Sequence, residues 1–197
     1  MRRTSVVSGF FRFFLTKKLI RTGNQTMADC VNALKLWTNT ARSTIIYDSE
    51  LDEFTDDGLF DKVRNVNNTA IIGFTPEGDV FGGFFTVAVT EQTTKFFDRN
   101  MFIFSFKSRG RCETPKMFFV KEEDLDEKGI IYYKDDYQGR FVNVGAGGGC
   151  FFLGNERSTS WCCFLSYSFA QTPNKVLTGS CYPETFICSR IVVAHLE

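Results

Sequence analysis

Residues 69–89 read TAIIGFTPEGDVFGGFFTVAV, and the reading of this stretch decides the fold. Thr75-Pro76-Glu77-Gly78 has proline second and glycine fourth, which suits a type I turn closed by a left-handed glycine. A hairpin of two antiparallel strands follows. Upstream, Ala70-Ile71-Ile72-Gly73-Phe74 is apolar on both sides. Downstream, Phe81, Phe85, Val87 and Val89 share one face, and Val80, Gly82, Phe84 and Ala88 share the other. A strand apolar on both faces has to be covered above and below. Gly82 and Gly83 weaken a strand unless a neighbour needs the space of their missing side chains, so a large ring or another backbone is expected there.

Working outward, the theme repeats in MFIFSF (101–106) and FVNVGAGGGCFFLG (141–154). Phe102, Phe104 and Phe106 alternate with Met101, Ile103 and Ser105 across the first of these. Further strands are expected at 43–47, 117–120, 130–134, 140–144 and 150–153, with a long closing strand over 185–196. Ala28 to Trp37 predicts a short helix with Val31 and Leu34 on one side. Thr55 is placed to cap a second, with Asp56 and Asp57 in its first turn and Leu59, Phe60 and Val63 facing the core. Glu91 to Asn100 reads as a connection, and the acidic KEEDLDEKG (121–129) as a solvated loop or helical turn. The predicted class is α+β, mainly β: two packed antiparallel sheets flanked by short helices. The core is expected to hold Phe81, Phe84, Phe85, Phe102, Phe104, Phe151 and Ile191.

Composition supports an aromatic-filled core. The 197 residues include 23 Phe against 2 Trp and 6 Tyr, and each buried Phe is worth about 1.5–3 kcal/mol. Net charge is zero, which argues against nucleic acid as a partner. The balance is uneven: residues 1–28 carry Arg2, Arg3, Arg12, Lys17, Lys18 and Arg21 and no acid, leaving 17 basic against 23 acidic residues elsewhere. The apolar run there is broken by Arg12 and is too short to span a bilayer. Residues 1–42 are therefore read as a basic, aromatic N-terminal extension plus the short helix, and 43–197 as the domain. Residues 1–21 suit membrane-surface contact or organelle targeting, against the plainer reading of a loose extension that folding does not need. Seven cysteines without a C-x-x-C spacing read as reduced thiols of a cytoplasmic protein.

Each candidate for chemistry meets a simpler explanation. Asp48, Glu50 and Asp52 alternate like calcium ligands, but Glu53 and Leu59 stand where that loop needs glycine and glutamate. The Gly145-Ala146-Gly147-Gly148-Gly149 run is followed by a strand rather than a helix, so it has no helix dipole to offer a phosphate. His195 is the sole histidine and lies in the closing strand among apolar residues. Cys162, Cys163, Cys181 and Cys188 do not match zinc spacing. Lys107, Arg109 and Arg111 read as a solvated basic loop. No catalytic, cofactor or metal residues are assigned, and no cofactor is expected.

In order and spacing, residues 43–196 resemble a TLDc domain. IIYDSELDEFTDDGLFDKV is similar to the opening strand, acidic turn and helix of that family, and TAIIGFTPEGDVFGGFFTV to its hairpin, with the G-x-[VF]-F-G-[AG]-F core at Gly78 to Phe84. MFIFSF, VGAGGGCFFLGNE and RIVVAHLE resemble its later strands. Gly154-Asn155-Glu156 and the Cys162–Cys181 region depart from the common pattern, as in a divergent, protist-like member. The resemblance implies a non-enzymatic, monomeric interaction module tied to oxidative-stress resistance and to the peripheral sector of the vacuolar-type proton pump (V-ATPase). The rival expectation is a thiol- or metal-dependent enzyme, or a redox sensor acting through cysteines.

Overall fold

A computed structural model describes residues 25–134, 139–154, 159–173 and 175–197. The expectations for residues 1–21 lie outside them. By packing, the chain divides into two compact units with the boundary between Asn39 and Thr40. In the first, residues 25–38 form helix α1, in which Val31 and Leu34 are buried.

The second unit is two antiparallel sheets. Strands β1 (Ser43–Asp48), β2 (Thr69–Phe74), β3 (Val80–Phe85), β5 (Phe102–Lys107), β6 (Lys116–Phe119) and β11 (Arg190–Leu196) make a six-stranded sheet in the order β1-β11-β2-β3-β5-β6. Strands β4 (Phe96–Phe97), β7 (Gly129–Tyr132), β8 (Arg140–Val144), β9 (Phe151–Gly154) and β10 (Trp161–Cys162) make a five-stranded sheet, ordered β10-β9-β8-β7-β4. Helix α2 (Asp56–Val63) buries Leu59, Phe60 and Val63 in the core, and the Thr55 hydroxyl caps it by accepting from the Gly58 amide at 3.0 Å. The mainly β, two-sheet α+β architecture is the one the sequence predicts.

The β2–β3 hairpin forms as read. The Gly78 amide donates to the Thr75 carbonyl, and Gly78 takes a φ of 93°, which only glycine adopts without strain. Both faces of the hairpin are buried. Ile71, Phe81 and Phe85 join Phe151, Leu153 and Ile191 in the core, where the rings of Phe81 and Phe151 meet edge-on at 5.4 Å. Phe84, Phe102 and Phe104 are buried on the opposite face of the same sheet, with Phe84 stacked on Phe102 at 5.2 Å. The expected ring and backbone do press on the glycines: a Cβ at Gly82 would collide with the Ile71 carbonyl and lie 2.6 Å from the Phe104 ring.

Three expectations are corrected, and one segment without a reading is filled in. Strand β3 stops at Phe85 rather than reaching Val89, because the Thr86 hydroxyl turns aside to donate to Asp98 at 2.8 Å. The 91–100 connection contains β4, an edge strand paired with β7. The Gly154–Gly179 segment, without a reading in sequence, contains β10 and a short 3-10 turn, Leu165–Tyr167. The closing strand starts at Arg190 rather than residue 185: Phe186 bridges to Ser160 instead, and Ile187 is 40% exposed.

Candidate functional site

Strand β9 runs into the glycine turn at one end, and β10 lies beside it. Trp161 pairs with Phe152 and Cys162 with Phe151. Phe151 and Cys162 point into the core, so alternation sends Phe152 and Trp161 to the other face. There the two rings meet at 4.8 Å under the Arg140 guanidinium, which lies 4.5 Å from the Trp161 ring. One residue further along the same register, Cys163 stands opposite Cys150, and its amide donates to the Cys150 carbonyl at 2.7 Å.

The two thiols influence one another and differ sharply. Cys150 is buried, and its thiol is pushed well above the usual range, first by its hydrogen bond to Cys163 and then by burial. Cys163 is half-buried, and its thiol is lowered to about 7, chiefly by the hydrogen bond from Cys150. Burial opposes that shift and the nearby Arg140 charge assists it. Cys162, Cys163, Leu165, Leu177 and Cys181 line a small pocket beside the pair. Burial raises Cys162 and Cys188 to about 12, which leaves both inert at neutral pH.

The other candidates are tied into the fold. Asp48 is buried and holds Arg190, with Nε donating to Oδ1 at 2.9 Å; Glu50 takes the same guanidinium at 3.1 Å. Asp52 accepts from the Asp48 amide at 2.9 Å and pairs with Lys62. The alternating acids therefore serve an arginine, a lysine and a backbone amide. In the glycine run, Gly145, Gly147 and Gly149 all have positive φ, and the Gly148 carbonyl accepts from Lys128 at 2.7 Å and from Ser168 at 2.8 Å. This turn presents an acceptor to lysine, the reverse of a phosphate cradle.

The basic loop is a correction. Arg109 and Arg111 are not simply solvated. Both clamp Asp79, which is 0% exposed: Arg109 Nε donates to Oδ1 at 3.1 Å and Arg111 donates to Oδ1 at 2.6 Å. The same arginines donate to the carbonyls of Val176, Leu177 and Thr178. One buried carboxylate thus joins the hairpin turn, the β5–β6 loop and the 176–178 segment. The three lie 30 or more positions apart in sequence, which hides the arrangement.

His195 sits near the end of β11 opposite Thr44 and Thr69, with its Nδ1 3.7 Å from the Glu197 carboxylate. Among the described residues, no group of three or more His, Cys, Asp and Glu is arranged to hold a metal ion. Also among them, no helix is long and apolar enough to cross a membrane. Sequence reasoning missed the Cys150–Cys163 pair, whose members are 13 positions apart; the β9–β10 register is the signal that finds it.

Fold and contacts together define a class: a two-sheet β domain whose 109–111 loop is tied to a buried carboxylate and in which Cys150, Cys162, Cys163 and Cys181 lie near the β9–β10 edge of the smaller sheet. The TLDc domain model matches residues 18–188, and the chain belongs to that family. TLDc domains are known in oxidation-resistance proteins and mediate protein interactions. No curated protein matches the chain.

Proposed function

We propose that this chain is a non-enzymatic TLDc interaction module, acting as a cytoplasmic monomer that protects against oxidative stress by binding the peripheral sector of the vacuolar-type proton pump. Residues 43–197 are the working domain, and residues 1–42 an extension whose first 21 residues touch a membrane surface. The family match over most of the chain is the observation that carries this reading. A binding module needs a rigid scaffold with outward loops. Two packed sheets supply the scaffold, and solvent-facing Glu122, Glu123 and Leu51 (86% exposed) stand on its loops.

Affinity capture of the tagged full chain from its native cytoplasm tests the reading, run beside a variant with Cys163 and His195 both replaced. Recovery of peripheral pump subunits by both proteins is the expected result. Failure of both to recover those subunits overturns it.

A further inference from the structure

We propose that Cys163 and Cys150 form a two-thiol site that reduces a hydroperoxide and closes to a disulfide. Three features of the structure meet at this pair. First, directly opposed residues on antiparallel neighbours have α-carbons about 4.5–5.5 Å apart, inside the range of about 4.4–6.8 Å that a disulfide spans. Extension of the β9–β10 register and the 2.7 Å Cys163 amide bond put these two residues in that arrangement. Second, side chains of directly opposed residues project from the same face, and each thiol is the first influence on the other's ionisation. Third, access is unequal. Cys163 is half-buried beside the pocket and near Arg140, whereas Cys150 is 3% exposed beneath it.

That inequality assigns the roles. Cys163, with the lowered thiol, supplies the thiolate. Its sulfur attacks the terminal oxygen of the hydroperoxide; an S–O bond forms, the O–O bond breaks, and the alkoxide leaves as alcohol after taking a proton from water. Cys163 is then a sulfenic acid. Cys150 sulfur attacks Cys163 sulfur next. The S–S bond forms, the S–O bond breaks, and the departing hydroxide takes the Cys150 proton to leave as water. Two thiols lose two electrons and the peroxide gains them. A dithiol reductant restores the pair by exchange. Each hydroperoxide oxidises one pair, so the site is a stoichiometric sensor within a non-enzymatic module, and it stands or falls apart from the pump reading.

Tryptic sites at Arg140, Arg157, Lys175 and Arg190 place Cys150 in peptide 141–157, Cys162 and Cys163 in 158–175, and Cys181 and Cys188 in 176–190. The full chain is treated with stoichiometric hydrogen peroxide, digested without reductant and mapped by mass spectrometry. The expected product links 141–157 to 158–175 through Cys163, as fragment ions between Cys162 and Cys163 show, and dithiothreitol reverses it. In Cys150→Ala, the sulfenic acid should persist on Cys163 and react with a 1,3-dicarbonyl probe. A link from 158–175 to 176–190, a link through Cys162, or no link at all overturns the proposal. A measurement on the unaltered chain guards against misfolded variants: pulsed iodoacetamide at pH 7 should label Cys163 about tenfold faster than any other cysteine. Equal labelling of Cys163 and Cys181 overturns the assignment of the attacking thiol.

Discussion

The six-stranded sheet and the 159–189 region of the chain are built on different principles. At the centre of the sheet, β11, β2 and β3 bury both faces, and its order comes from rings and branched side chains packed at close range. Among the described residues of 159–189 the only strand is two residues long, and position is set by individual polar contacts. The Ser160–Phe186 bridge holds one part, and the arginines on the 176–178 carbonyls hold another. The sheet spreads its stability over many contacts. The other region concentrates it in a few, and this is the region that carries Cys163.

The largest effect expected is on the first principle. Phe104 is 0% exposed and lies over Gly82, so Phe104→Ala should lower unfolding free energy by about 3–5 kcal/mol in a denaturant melt. A loss under 1 kcal/mol would show that the outer face of the sheet does not contribute as a core.

Arg190→Leu comes next, since it leaves the Asp48 carboxylate buried without its partner. It should cost about 3 kcal/mol, and adding Asp48→Leu should restore most of the loss. If the double variant is as unstable as the single one, the pair stabilises through geometry rather than charge compensation.

Arg111→Met tests the second principle directly. Two carbonyls and one oxygen of Asp79 lose a donor, worth about 2 kcal/mol in total, and the loss should be local. Hydrogen exchange should accelerate over residues 175–181 while the amides of β2 and β11 keep their protection. Uniform acceleration would mean the two regions unfold as one.

The smallest effect is a pH dependence at the β1–α2 loop. The Asp48 amide and Lys62 hold the Asp52 carboxyl below its ordinary value of 3.8. A lowered folded-state value makes its contribution full above that ordinary value and lost as pH falls through the lower one. Asp52→Asn should therefore lower the melting temperature slightly at pH 7 and flatten the acid end of the profile, so that the two proteins converge at low pH.

The same contrast explains what the sequence revealed. Alternation and turn chemistry are local signals, so the Thr75–Gly78 turn, the Thr55 cap and the two faces of β5 were legible. Strands β4 and β10, with two residues each, have no period to detect. Arg109 looked solvated because its partner, Asp79, is 30 positions away and nothing nearby in sequence announces a buried carboxylate. Val87 and Val89 looked like strand because apolarity continues there, while Asp98 draws Thr86 out of the ladder. The thiol pair needed the pairing of β9 with β10, and β10 was itself unseen.

Strand β11 lies between β1 and β2, and its Arg190 meets Asp48 across 142 positions of sequence. On the ribosome, β2, β3 and β5 emerge early and can pair with one another. Until β11 has cleared the exit tunnel, however, β2 keeps a bare apolar edge and β1 has no neighbour in the sheet. Loop closure over that span is slow compared with hairpin formation. The nascent domain therefore spends most of its synthesis as an unfinished sheet with an adhesive edge, a natural client for a chaperone that shields exposed strands.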